Sequence, residues 1–424
     1  MGSLTAALAA LACMCFVPLP ADAQEPVRRP SEPIPTGELA TPSDSSGLGD
    51  RPRLPNLVEG ETDSGPAPWL VDLHGLYGLN VHHYNRIDGL APSWGGILEA
   101  TDPEERPSLG GEIAAATTHR RLYWSAWIEQ RLPLPGAVLL RFESFRRVST
   151  FDEWKISVRE NDVSTFVAAS DLLDWWREQG VRVTLDAETP RGRYGARLDF
   201  LHASQHSEPN RSPFALLAND GDFRDNPPIA EGTLRSLRVG LRFDTRDVQS
   251  PLLPAPGWSL AAAWERAGGL LGGDVTFSRA EVDLRRYIRL GRDAWWDSRL
   301  MWMGPLTDTG VPPQRKVSLG GPGSLRGFRA GSFVDSEGLQ ATSEVRIPLP
   351  VIGRIALVFL SWHAVGFVDA GSVGDLDEWH SSVGAGVSGI NIFSYLGFFL
   401  AQRVTDLGEP DSGPQFVVRL RRDF

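Results

Sequence analysis

The chain has 424 residues and a formal net charge of −11, an acidic balance that excludes a nucleic-acid-binding surface, which would be basic. Charged residues make up 22% and hydrophobic residues 42%, which excludes a wholly disordered chain. Both cysteines, Cys13 and Cys15, lie near the N-terminus, so the sequence beyond them has no disulfide, thiolate metal ligand or cysteine nucleophile.

The first element is an export signal over residues 1–23. The segment "LTAALAALACMCFVPLP" is apolar, and "ADA" at 21–23 has the small-x-small form of a cleavage site before Gln24. No Lys or Arg precedes the apolar run, and "ALAC" loosely resembles a lipobox, so a lipoprotein acylated at Cys13 is the alternative. Residues 24–68 are rich in Pro, Ser, Gly and Glu. They read as a disordered periplasmic linker with no core to fold around. From Trp69 onward no apolar run reaches the roughly 18 residues of a membrane helix. The closest, 355–370, carries Ser361, His363 and Asp369.

What recurs instead is alternation. In "LRVGLRFDT", Leu237, Val239, Leu241 and Phe243 point one way, Arg238, Arg242 and Asp244 the other. "RYGARLDF", "AEVDLRRYIRL" and "QFVVRLRRDF" repeat the pattern, and a period of two means strands. Sixteen are predicted: 69–84, 89–99, 108–117, 120–131, 136–147, 179–188, 192–203, 233–245, 257–267, 274–290, 294–303, 338–348, 355–370, 379–389, 394–404 and 414–424. Arginines and carboxylates recur together on the polar face, which suits lipid outside and a charge-paired lumen inside. The fold class is therefore all-β: a transmembrane antiparallel β-barrel of about 16 strands over residues 69–424. The longest connections, 148–178, 204–232 and 304–337, follow the fifth, seventh and eleventh strands, while tight turns such as "PLPG" at 133–136 follow even ones. That is the pattern of long outer loops and short periplasmic turns. A short helix is expected at 171–179, capped by Ser170 and stopped by Gly180. The fourteen tryptophans suit interfacial girdles.

The stretch "LGGPGSLRGFRAG" at 319–331 lies in the third long loop. It lacks the G-x-x-x-x-G-K-[ST] pattern of a P-loop and the strand–helix context of a dinucleotide loop. Gly321, Gly323 and Gly327 instead suggest sharp turns with positive φ. Neither G-x-S-x-G nor H-E-x-x-H occurs. His82, His83, His202, His206, His363 and His380 form no ligand pattern, and the acidic "NDGDFRDN" at 219–226 lacks EF-hand spacing, reading as a solvated outer turn. No enzyme, cofactor or metal site is expected.

Several motifs together resemble the BamA/TamA-like outer-membrane assembly and two-partner-secretion superfamily. Leu325, Arg326, Gly327 and Phe328 match its V/L-R-G-F/Y signature. "GLRFDTRDVQSPLLPAPGW" at 240–258 and "GFVDAG" at 366–371 are similar to its D-T-R-D…P…G and F-x-D-x-G motifs. Glu344 in "SEVRIPLP" stands where the family places an acid, and "FVVRLRRDF" looks like its C-terminal strand. The matches cover roughly 235–424; residues 69–234 match as generic strands.

The resemblance implies that the extracellular loop tucks into the lumen, where Arg326 pairs with acids of the wall. Strand parity agrees. Leu339, Val345 and Ile347 face out, so Glu344 faces in; Val358, Leu360, Trp362 and Val368 face out, so Asp369 faces in. Phe328 is expected among inward side chains such as Phe367. The resemblance also implies that Phe416, Val418, Leu420 and Phe424 form the outward face read by the barrel-assembly machinery. The linker is too short and polar for the POTRA domains most members carry, so this reads as a member lacking them. Two functions remain: a protein-insertion or translocation barrel, or a passive pore, lipid-handling scaffold or surface adhesin with no client. Outer-membrane lipid, the assembly machinery and a client or periplasmic partner protein are the implied partners, in the bacterial outer membrane.

Overall fold

A computed structural model describes residues 68–211, 213–217, 223–246, 255–291, 294–350, 359–391, 395–408 and 412–420. The expected leader, most of the linker, part of the acidic turn at 219–226, and Phe424 lie outside the described residues.

The first strand is in two pieces, β1 (Trp69–Leu73) and β2 (Leu79–Asn85), both paired with β3 (Gly89–Ala100). The break is a local turn in which Gly75, Tyr77 and Gly78 have φ of 57, 51 and 92°. Gly78 is required there, because a Cβ would lie 2.4 Å from Trp94 Nε1. Consecutive antiparallel ladders then join β3 to β4 (Ser108–Ala115), β5 (Leu122–Leu132), β6 (Ala137–Thr150), β7 (Trp175–Glu188), β8 (Tyr194–Ser207), β9 (Gly232–Asp244), β10 (Gly257–Ala267), β11 (Phe277–Leu290) and β12 (Ala294–Pro305). A small hairpin, β13 (Val317–Leu319) and β14 (Phe333–Asp335), lies in the loop after β12. The wall resumes with β15 (Gly338–Leu349), which pairs with β12, then β16 (Phe359–Val373), β17 (His380–Asn391), β18 (Tyr395–Arg403) and β19 (Gln415–Arg419). With β1 and β2 taken as one strand, the wall has sixteen strands among the described residues, matching the sequence expectation. The molecule is a transmembrane antiparallel β-barrel with its longest loop folded into the lumen.

The alternation has the physical basis read from the sequence. Val368 is 50% exposed on the outside while Asp369, the next residue, is 0% exposed inside. An apolar side chain can meet lipid and a carboxylate cannot, so the period of two sorts them to opposite faces. Several strands are longer than the roughly 9–11 residues a tilted crossing needs; β6, β7, β8 and β11 each have 14. Toward the long-loop ends of these strands the pattern reverses. Phe145, Leu201, Leu234 and Phe277 pack together as a buried cluster, while Arg235 and His202 bond each other on the exposed face.

The helix expected at 171–179 is not there. Trp175–Gln179 belong to β7, paired with residues 146–150 of β6. The helix is α1 (Val158–Ala168), earlier in the same loop. Its N-cap is Ser157, whose hydroxyl accepts from Glu160 N, and its C-cap is Ala169 at φ 52°. The start signal is the Ser157-x-x-Glu160 spacing of a capping box. Asp171 explains why the predicted segment is not helical. Its carboxylate accepts from Trp175 Nε1 and from the Arg86 backbone N–H, holding the chain in an irregular path into β7.

Candidate functional site

The glycine-rich stretch is a compact knot of turns. Gly321 N–H donates to Leu325 O and Phe328 O, Ser324 N–H to Gly321 O, and Phe328 N–H to Leu325 O at 3.0 Å. Positive φ occurs at Gly320 (107°), Gly321 (92°) and Gly331 (73°), not at Gly323 or Gly327 as the sequence suggested. Those two glycines serve close approach instead. A Cβ on Gly323 would lie 1.7 Å from Lys155 O, and one on Gly327 would lie 2.6 Å from Ser382 Cβ.

The knot places Arg326 at 1% exposure. Its backbone N–H and Nε donate to Asp369 Oδ2 at 3.2 and 2.9 Å, Nη2 donates to Asp369 Oδ1 at 2.8 Å, and Nη1 donates to Glu344 Oε2 at 3.0 Å. The planar fork thus spans two acids on neighbouring strands. Asp369 pairs in register with Thr342, two residues from Glu344, so both acids share the inner face. Phe367, also inward, lies under the guanidinium, with Cζ 3.3 Å from the ring centroid.

Phe328 is therefore not against Phe367, as expected. Arg326 occupies that ring, and Phe328 meets Phe333 edge-on at 5.2 Å, with the Arg403 guanidinium 4.9 Å from its ring. Leu325 and Phe328 join Trp154, Met301, Met303, Val317 and Leu319 in a buried apolar cluster. Gly327 is fixed through its N–H to Ser382 Oγ and its carbonyl to Arg403 Nε. Leu325, Arg326, Gly327, Phe328, Glu344 and Asp369 therefore lie together.

The loop also touches the far side of the wall. Arg419 Nη1 of β19 donates to Pro322 O at 2.7 Å. At the C-terminal strand, Phe416 and Val418 are exposed on the outer face and Leu420 is partly buried. Elsewhere acids and arginines line the interior in pairs, among them Arg299 with Asp283, Arg315 with Glu265 and Arg346 with Asp297.

Two further clusters were missed by sequence reasoning. Arg86, 0% exposed, donates to Asp171 O, Leu173 O, Asp174 Oδ1 and Asn226 Oδ1. Asp88, also buried, is bonded by His83 Nε2 at 2.7 Å, His119 Nε2 at 3.0 Å and Tyr123 OH at 2.7 Å. The partners of Arg86 come from two loops distant in sequence, and Asp88 joins His83 of β2 to Tyr123 of β5 and His119 just before it. Glu378, His380 and Asp406 hold ligand-capable atoms within 4.8 Å of one another. Within it, His380 Nδ1 and Asp406 Oδ2 are hydrogen-bonded at 2.7 Å.

The Omp85 superfamily domain matches residues 177–395, which is 219 of the 424 residues. Among solved structures, the fold is similar to BamA from Haemophilus ducreyi lacking POTRA domains 1–3, with a TM-score of 0.54 at 15% identity, covering 79% of this chain and 68% of that one. CdiB from Escherichia coli gives a TM-score of 0.45 at 16% identity over 79% of this chain and 60% of that one. CdiB from Acinetobacter baumannii gives 0.43 at 15% over 78% and 56%. No curated protein sequence matches the chain. With more than half of its length in the superfamily domain, and that domain built as an antiparallel barrel, this chain belongs to the Omp85 superfamily and is a bacterial outer-membrane β-barrel.

Proposed function

We propose that the barrel handles other polypeptides, inserting them into or moving them across the outer membrane, with the 319–331 loop docked in the lumen by Arg326. The observation that carries this reading is the Leu325–Phe328 motif, held against Asp369 and Glu344 inside a superfamily barrel. A bare pore would be better served by an open lumen, whereas this loop fills space and is bonded to strands on several sides. Client delivery by a periplasmic partner is part of the reading; residues 24–68 are polar and Pro-rich. Phe416, Val418, Leu420 and Phe424 are proposed as the signal read by the assembly machinery during this barrel's own insertion.

The test is depletion of the chain combined with cross-linking from lumen positions in native membranes. Adducts with unfolded polypeptides, and loss of specific outer-membrane or secreted proteins on depletion, are expected. An unchanged outer-membrane and secreted proteome, with altered small-solute permeability alone, would leave the passive-pore function in its place. For the assembly signal, deleting Phe424 should lower the amount of heat-modifiable barrel in the membrane; an unchanged amount removes that role.

A further inference from the structure

Helix α1 touches both ends of the barrel wall. On one side, Glu160 Oε1 accepts from Arg419 Nε of β19 at 2.8 Å and from the Leu420 backbone N–H at 2.7 Å. Glu160 is 3% exposed, so both bonds are charge-assisted and shielded from water. On the other side, Phe166 packs edge-on against Tyr84 of β2 at 5.3 Å. Asn161 extends the reach. Its Nδ2 donates to Asp171 Oδ1, and Asp171 Oδ2 accepts from the Arg86 backbone N–H just past β2.

The chemistry of these contacts is specific. Backbone donors at the margin of a strand are a template for pairing with another strand. Here a carboxylate from a helix takes the Leu420 donor, and the same helix reaches the first strand through Phe166 and the Asn161–Asp171 bridge. The helix is also tied to the loop after β8, since Leu216 N–H and Leu217 N–H donate to Phe166 O and Val167 O.

We infer that α1 is an internal clasp across the first and last strands, so that parting them requires the helix to release Leu420. Glu160 is the positioning residue of the clasp, and Arg419, which also binds Pro322 O, links it to the Arg326 loop. A polypeptide strand that paired with this margin of β19 would compete with Glu160 for the same N–H. The inference is independent of the client reading: a barrel with no client would carry the same clasp.

Amide hydrogen exchange on the full chain in lipid tests it. In Glu160→Ala, exchange should rise about tenfold or more, the factor carried by a charge-assisted hydrogen bond. The rise should appear together at Leu420 and across residues 79–85, while residues 277–290 of β11 stay unchanged. Heat-modifiable migration confirms that the variant has formed a barrel. If Glu160→Ala does not assemble, Glu160→Gln provides the reading. It keeps an oxygen for the Leu420 N–H but loses the charge facing Arg419, so a smaller rise at both places is expected. A rise confined to Leu420 would reduce Glu160 to a local cap and overturn the clasp, as would no change at either strand.

Discussion

Arg326 and Arg86 both sit at the tips of loops and both are withdrawn from solvent, at 1% and 0% exposure. They are held differently. Arg326 divides its donors between two carboxylates on adjacent wall strands. Arg86 gives half of its hydrogen bonds to backbone carbonyls of the α1 loop and the rest to Asp174 and Asn226, on two separate loops, with the buried Asp171 carboxylate a further 3.2 Å from Nη1. One arginine joins a loop to the wall; the other joins loops to each other. A strand fixes the direction of every side chain it carries, so a wall partner is set by register. A loop partner is set by packing that forms only when the whole rim assembles.

The comparison makes graded claims. The largest effect should come from Arg326→Ala, which leaves Asp369 and Glu344 buried without their shared cation. Loss of one member of a buried ion pair costs about 3–5 kcal/mol. Barrel unfolding, followed by heat-modifiable migration against denaturant, should show it, and Arg326→Lys should recover little because one ammonium cannot fork between two acids. Arg86→Ala should cost less, about 1–3 kcal/mol, because the Asp171 carboxylate keeps its bonds from Asn161, Trp175 and the residue 86 backbone N–H. That loss should appear as proteolysis within 151–174 and 208–231 while the barrel still unfolds near its original midpoint. If Arg86→Ala lowered the barrel midpoint as far as Arg326→Ala, the wall-versus-rim distinction would be wrong.

A smaller effect is expected from pH at the rim. Burial pushes the Asp162 carboxyl up to about 8, with the Asp171 charge adding to the rise and the Tyr84 N–H and Arg159 opposing it. The folded loop therefore holds this proton more tightly than the unfolded chain does. Its contribution is fully present in acid, declines as pH climbs from the ordinary 3.8, and is lost above about 8. Hydrogen exchange across residues 158–168 should accelerate over that window, and Asp162→Asn should flatten the dependence. An identical slope in Asp162→Asn would assign it to another group.

The same contrast explains what could be read in advance. The sixteen strands, their order and the inward parity of Glu344 and Asp369 followed from a period imposed by lipid on one face and a wet lumen on the other. The Leu325–Phe328 motif drew attention through composition. The helix was misplaced because "DLLDWW" has apolar content that suits either state, while the quieter Ser157-x-x-Glu160 cap was passed over. Gly323 and Gly327 were assigned to turns although they make room for Lys155 O and Ser382, neighbours from distant loops and strands that local sequence does not reveal. The partners of Arg86 were illegible for the same reason.

The most direct test of the central claim is a double-mutant cycle of Arg326→Ala with Asp369→Asn, and separately with Glu344→Gln, read by barrel unfolding. Residues in one ion-pair network couple by about 0.5–3 kcal/mol. The loop docked through its arginine predicts coupling in that range for both pairs, larger for Asp369, which takes two of the side-chain bonds and the Arg326 backbone N–H. Additive losses in both cycles would contradict docking through this arginine.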